Sequence, residues 1–270
     1  MAPPGAGPGS PGHPPSVAHR AASPSHYNSL LARRRFFVDS VHGETAELRG
    51  QEARHLARVL RAEEGQFYEI SDNQSAYLAR IEEARGDRVL FRLVEPLESV
   101  PAPVRVTLCA ALVKFDAFEW IVEKATELGV ERILPVNTAR CDKGLFEASV
   151  KRRERWLRIA REASQQSRRT RQPEILPAAG FEDSLAVEAE YRYFLEEAEA
   201  PPFFGVLPTA RAGSDRVVLL AGPEGGWTQV ERDLASAAGW RAASLGPGVL
   251  RAETAVVAAL GIVIGAWLAR

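Results

Sequence analysis

From Val104 onward the chain alternates continuous apolar runs with amphipathic segments, and few folds accept that order. VRVTLCAALV, residues 104–113, reads as a strand buried on both faces. FEWIVEKATELGV follows, with a helical stripe expected at Trp120, Ile121, Lys124, Ala125 and Leu128 and a stop at Gly129. The rhythm continues as strand RILPVN, helix ERWLRIAREASQQ, strand PEILPA, a helical segment, strand VVLLAG, a helix from Thr228 to Ala238, strand AASLG and a last helix. Such an order predicts an α/β domain with a mostly parallel sheet covered on both faces. Ligands of such sheets bind beyond the carboxyl ends of the strands. LLAGPEGG and SLGPGVLRAETA both fall there, so they are expected to share one site.

GPEGGWTQVE, residues 222–231, sits at a strand-to-helix turn with Thr228 as the expected cap. Glycines at such a turn let a ligand approach the backbone, and phosphate is the usual guest because exposed N–H groups favour anions. Glu224 argues against phosphate, and neither the Walker pattern nor the GxGxxG spacing is present.

The 270 residues carry a formal net charge of -1, which excludes a protein that is basic overall and confines any nucleic-acid contact to a local patch. KRRERWLRIAREASQQSRRTRQ, residues 151–172, is such a patch, with nine Lys or Arg against two Glu. It reads either as a phosphate-binding face or as a solvated helix surface. Two cysteines, Cys109 and Cys141, lack metal spacing, suit a reducing cytoplasm and are expected to be structural.

Residues 1–30 are rich in Pro, Gly, Ser and Ala and are expected to form a disordered tail. The tail has no apolar h-region, and His13, His19 and His26 are too scattered for a metal site. Residues 31–96 read as a small β-rich domain: FFVD, a helix QEARHLARVLR, then QFYEI, AYLARI and RVLFRLV. Prolines in EPLESVPAP place an interdomain linker at 97–103, with the α/β domain at 104–270. The apolar run 255–269 is shorter than the ~20 residues of a membrane span, so a buried terminal helix is expected.

The set RRFFVD, HLARVLRAEEGQ, EWIVEKATELGV, SQQSRRTRQPEI, GPEGGWTQVE and LGPGVLRAETA resembles the bacterial 16S ribosomal RNA uracil-N3 methyltransferases of the SPOUT superfamily, in order from about residue 33 to 270. The resemblance implies an N-terminal PUA-like β-barrel and a C-terminal SPOUT α/β domain with a deep trefoil knot. It also implies S-adenosyl-L-methionine as methyl donor, a homodimer, and 16S rRNA or an assembling 30S subunit as partner, with no membrane and no metal. The expected cofactor residues are Leu219, Gly222, Pro223, Gly225, Gly226, Leu245, Gly246, Leu250, Thr254 and Ala255. A cationic sulfonium suits bare backbone and a carboxylate better than a phosphate cradle does.

Arg153, Arg168, Arg169 and Arg171, with Arg35, Arg58 and Arg61 in a barrel set that also holds Arg33, Arg34 and Arg54, are the expected RNA contacts. His55, inside that set, is expected to be packed. Methylation at N3 requires extrusion of the uridine, loss of the N3 proton and stabilisation of charge on O2 or O4. Arg251 is the candidate for the last task, or else ties its loop to Glu253 or Glu224; Glu224 is the second candidate catalytic residue, and the general base stays open. Gly248 and Ala252 depart from the family pattern LGPRxLRTETA, as does KFDAFEW near Phe115 and Ala117. Gly248 and Ala252 keep open the reading of a non-catalytic RNA-binding or assembly factor, and within the superfamily a methyltransferase acting on another RNA is a further reading.

Overall fold

The computed structural model of the chain describes residues 34–197 and 199–269. The expected tail, with its three histidines, and Arg33 lie outside the described residues.

The first domain comprises β1 (Arg35–Phe37), β2 (Ser40–His42), β3 (Thr45–Arg49), α1 (Gly50–Arg54), β4 (Phe67–Ser71), β5 (Ala76–Arg85) and β6 (Arg88–Leu97), and α1 runs on into a π-helical turn at His55–Val59. Its sheet has the order β1-β4-β5-β6-β3-β2. The two ends of this order are successive pieces of one bent segment. At the bend Val38 N–H donates to the Ser71 carbonyl and Asp39 N–H to the Glu47 carbonyl, each at 2.9 Å. One segment therefore closes the sheet into a barrel and removes its free edges. Strand alternation sends Leu48, Ile70, Ile81, Val89 and Phe91 inward, where Leu56 plugs the core. Glu95, Pro96 and Leu97 belong to β6 and pair with Leu78, Tyr77 and Ala76. Pro96 is tolerated because β3 pairs β6 only at Arg88–Arg92, which leaves the proline on an unpaired side.

The second domain comprises β7 (Arg105–Ala111), α2 (Phe115–Glu127), β8 (Arg132–Asn137), α3 (Leu145–Gln166), β9 (Glu174–Ile175), β10 (Ala179–Gly180), α4 (Phe181–Leu185), β11 (Tyr191–Leu195), α5 (Phe203–Val206), β12 (Arg216–Ala221), α6 (Gln229–Ala237), β13 (Arg241–Ala243) and α7 (Ala252–Leu268). The sheet is wholly parallel, in the order β10-β8-β7-β12-β11-β13 with β9 also on β8. Alternate residues of β7 and β12 feed two cores. Val106, Leu108, Val217 and Leu219 pack with Phe118, Trp156 and Leu260 of α2, α3 and α7, whereas Cys109, Val218 and Leu220 pack with Phe181, Trp227 and Ala235 around α4 and α6.

Three expectations change. Tyr191–Leu195 is a strand, β11, where the sequence suggested only a helical segment; five residues flanked by acids leave no long apolar run. The inward stripe of α2 is Phe118, Ile121, Val122, Ala125 and Thr126, so Trp120 and Lys124 face outward, and Lys124 pairs with Glu123 and Glu127. Helix α7 buries Val256, Ala259, Leu260, Val263 and Trp267 but leaves Gly261, Gly265 and Leu268 exposed, so it is covered on one face only. No helix among the described residues is long and apolar enough to cross a membrane.

The barrel is fastened to the end of α3 by polar contacts. Arg161 pairs with Glu52 and donates to the Phe37 carbonyl at 2.6 Å, and Gln165 donates to Glu52 at 3.0 Å. Arg35 Nη1 donates to Thr170 Oγ1 at 3.0 Å, and Ser71 donates to the Thr170 carbonyl at 2.6 Å.

Candidate functional site

Beyond the carboxyl ends of β11 and β12 lies a pocket open to solvent. Its floor is the turn after β12. Thr228 caps α6 as expected, in a reciprocal box: Glu231 N–H donates to Thr228 Oγ1 at 3.2 Å and Thr228 N–H to Glu231 Oε2 at 2.8 Å. Glu231 Oε1 accepts from Ala139 N–H at 2.8 Å, which ties the turn to the loop after β8. Trp227 is buried beneath it, stacked on Phe194 at 4.6 Å between centroids and donating to the Leu195 carbonyl at 2.8 Å.

The glycines of GPEGG are explained by what lies against them. A Cβ on Gly222 would stand 2.9 Å from the Trp227 ring, and one on Gly225 3.2 Å from Arg140 Cβ. At Gly226, φ is +65° and a Cβ would meet Glu197 Oε1 at 2.6 Å. These glycines make room for protein side chains. Gly246 and Gly248 are different: a Cβ there would meet nothing within 4 Å.

Of the expected cofactor residues, Gly222, Pro223, Gly226, Leu245, Gly246, Leu250 and Ala255 line this pocket, together with the candidate catalytic residue Glu224. The two motifs therefore converge on one site. Leu219 does not join them, being fully buried inside β12 three residues short of the turn. Gly225 lies outside the lining and gives its carbonyl to Arg140 Nη1 at 2.6 Å, and Thr254 is exposed on α7. The sequence reading missed Leu195, which ends β11, and Glu196 and Glu197, which follow it; all three enter the lining. Their signal is the rule that located the other loops, lost with the unrecognised strand. Glu196 is buried and accepts from Arg232 at 2.6 and 3.2 Å.

The fourteen lining residues are either uncharged or acidic. Bare backbone at Gly246 and Gly248, apolar walls at Leu245, Leu250 and Ala255, and carboxylates at Glu196, Glu197 and Glu224 fit an adenosine bearing a cation and offer no cradle for phosphate. No cluster of metal-ligating side chains occurs among the described residues.

Segment 244–251 lies against the loop after β11. Ser244 N–H donates to the Pro201 carbonyl and Phe203 N–H to the Ser244 carbonyl, both at 2.9 Å, and Glu196 N–H to the Ala243 carbonyl at 3.0 Å. These bonds continue the parallel pairing of β13 with the β11 side through the Pro202–Ser244 bridge. Arg251, at the start of α7, is exposed and forms no ion pair with Glu224 or Glu253 among the described residues.

The expected RNA contacts divide. Arg35 is only 8% exposed and paired with Glu69 at 3.0 Å, which places it inside the protein. Arg153 donates to the Ile175 carbonyl at 3.0 Å. Arg169 donates to the Thr126 carbonyl at 2.7 Å, and burial pushes its guanidinium down to about 10. Arg168, at φ +55°, reaches Glu69 at 3.4 Å. Arg58, Arg61 and Arg171 are exposed, as is His55, which was expected to be packed. Cys109 is buried, and burial pushes its thiol up to about 12, in keeping with a structural role.

A family model described as an RNA methyltransferase domain matches residues 100–264, and one described as an RNA methyltransferase PUA domain matches residues 48–94. The chain is 29% identical over 245 residues to ribosomal RNA small subunit methyltransferase E of Bacillus subtilis, covering 85% of this chain and 95% of that protein. Against the same-named protein of Synechocystis the identity is 32% over 249 residues, covering 87% and 76%. The crystal structure of ribosomal RNA small subunit methyltransferase E from Neisseria gonorrhoeae bound to S-adenosyl methionine superposes with a TM-score of 0.79 at 29% identity, over 87% of this chain and 98% of that one. A family model spanning more than half of the chain and a relative above 30% identity, both consistent with the barrel, the parallel sheet and the pocket, place this chain in the family of the small-subunit ribosomal RNA methyltransferases E.

Proposed function

We propose that the chain methylates N3 of a specific uridine in 16S rRNA, in the cytoplasm and as a homodimer. The observation that carries this reading is the convergence of residues 222–227 and 245–255 on one pocket with bare backbone, apolar walls and carboxylates. S-adenosylmethionine supplies an electrophilic methyl group on a cationic sulfonium. Leu245, Leu250 and Ala255 flank the base of the nucleoside, Gly246 and Gly248 leave space beside the backbone, and Glu196 and Glu197 give the ribose and the cationic end acceptors. Arg251 follows Leu250 directly, with its guanidinium uncommitted to Glu224 or Glu253, and holds the charge that develops on O2 or O4 of the uracil. Glu224 stands at the open side of the pocket, where the target base enters. Arg58, Arg61 and Arg171 contact RNA phosphates. The second copy covers the exposed face of α7 at Gly261, Gly265 and Leu268.

The test is mass spectrometry of small-subunit RNA from a strain lacking the gene. One N3-methyluridine is expected to disappear and to return on complementation; an unchanged modification profile would remove the assignment.

A further inference from the structure

The barrel displays two large apolar side chains to solvent on a rigid mount. Val59 is 64% and Leu60 41% exposed, at the end of the π-helical turn. On either side the segment is anchored in the barrel core, by Ala53 and Leu56 before the pair and Ala62 after it. Its backbone is held as well: Leu60 N–H donates to the His55 carbonyl and Ala62 N–H to the Leu56 carbonyl, each at 3.1 Å. Between these bonds Arg61 occupies the left-handed region at φ +51°, a conformation that a side chain adopts at a cost and that recurs at functional sites. π-Helical turns are likewise enriched at such sites.

Charge surrounds the pair. Residues 54–61 carry Arg54, His55, Arg58 and Arg61, all exposed, and no acid; the preceding Glu52 is taken up by Arg161 and Gln165. Arg54 stands 3.9 Å from Asp87, a loose surface pair, and Glu63 and Glu64 begin the turn toward β4. An exposed Val-Leu pair in this setting gains nothing from water and is not needed by the barrel core, whose anchors are its neighbours.

We propose that Val59 and Leu60 form an apolar wedge that packs against unstacked bases of the substrate RNA, with Arg58 and Arg61 holding the flanking phosphates. The wedge rests on the RNA-methyltransferase reading above and adds a specific task for the barrel. A base must leave its stack to be methylated, and apolar side chains inserted between base steps supply unstacked nucleic acid in other proteins.

The two kinds of contact differ in salt dependence, and that difference tests the wedge. Binding of 16S rRNA transcribed in vitro is measured at several salt concentrations for wild type, for the Val59→Ser, Leu60→Ser double variant, for Leu60→Phe and for Arg58→Ala with Arg61→Ala. The double serine variant is expected to lose about tenfold or more in affinity with an unchanged slope of log K against log salt, because no phosphate contact is removed. The arginine variant is expected to lower that slope by about one per lost contact. Leu60→Phe is expected to keep or raise affinity. Both positions are exposed, so serine is expected to leave the fold intact, and S-adenosylhomocysteine binding and thermal melting check it. A double serine variant with wild-type RNA affinity overturns the wedge, whatever protein or surface the pair then touches. If wild type neither binds nor methylates any RNA, the functional reading falls as well; if wild type methylates and the serine variant equals it, the wedge alone falls.

Discussion

Arg140 Nη1 donates to the Gly225 carbonyl at 2.6 Å, so a side chain from the loop after β8 holds the turn that floors the pocket. Beside it Ala139 N–H donates to Glu231, the partner of Thr228 in the capping box of α6. The turn is thus fixed from the loop after β8, two strands along the sheet, before any ligand arrives, and pre-organisation of this kind lowers the cost of binding. Arg140→Ala is expected to weaken S-adenosylhomocysteine binding by about tenfold, the value of one charge-assisted hydrogen bond at an exposed site. Calorimetry measures it, and unchanged affinity would show that the turn holds itself.

Gly226 meets two constraints at once, φ +65° and Glu197 Oε1 at 2.6 Å from a Cβ built on it. Gly222 meets a different one, the face of a buried tryptophan. Gly226→Ala is expected to cost about 1–3 kcal/mol through backbone strain and displacement of Glu197. Gly222→Ala is expected to cost a similar amount through the Trp227 packing, visible as a lower melting temperature and an altered tryptophan emission. Tryptophan emission unchanged in Gly222→Ala would mean that the ring moves freely.

What could be read from the sequence follows from where the information lies. Strands β7, β8 and β12 are legible because burial on both faces writes an uninterrupted apolar run, and Thr228 is legible because a cap acts over three residues. Strand β11 is short and is followed at once by Glu196–Glu197, so it carries no such run, and the two pocket carboxylates went unseen with it. The arginines fail for another reason. Whether Arg35, Arg153 or Arg169 faces solvent depends on Glu69, the Ile175 carbonyl and the Thr126 carbonyl, all 22 or more residues away. A local charge count contains nothing about partners at that separation.

The Arg35–Glu69 pair gives that distinction a measurable form. Both residues are under a tenth exposed, and the carboxylate accepts from Nε at 3.2 Å and Nη2 at 3.0 Å. Glu69→Ala leaves Arg35 buried without its main partner and is expected to cost about 3–5 kcal/mol. Arg35→Met combined with Glu69→Leu removes both charges and is expected to cost less than the single change. Chemical denaturation of the three proteins decides it; a double variant as weak as Glu69→Ala would show that packing and not charge sets the loss.

Burial of Cys109 makes a prediction about reactivity. Raising the thiol to about 12 favours the protonated form, so at pH 8 almost no nucleophilic thiolate is present in the folded state. Iodoacetamide at pH 8 is expected to leave Cys109 unmodified in native protein and to label it after unfolding. Peptide mapping reads this directly, and rapid native labelling of Cys109 would contradict the buried position.

Arg251 separates binding from chemistry. It stands at the junction of the pocket segment and α7, is exposed, and contributes no capping bond to the helix. Its removal therefore costs the fold little, since an exposed side chain without a partner holds nothing together. If its guanidinium carries the charge developing on the uracil, the loss belongs to the transition state alone. Arg251→Ala is then expected to lower kcat more than tenfold while leaving the melting temperature and S-adenosylhomocysteine affinity near wild type. Arg251→Lys keeps the charge but not the fork, and is expected to recover only part of the rate, because two parallel donors match a base carbonyl better than a point charge does. Single-turnover methyl transfer to 16S rRNA measures both. An Arg251→Ala enzyme with wild-type single-turnover rate would take Arg251 out of the chemistry, whereas a raised KM with unchanged kcat would assign it to RNA binding.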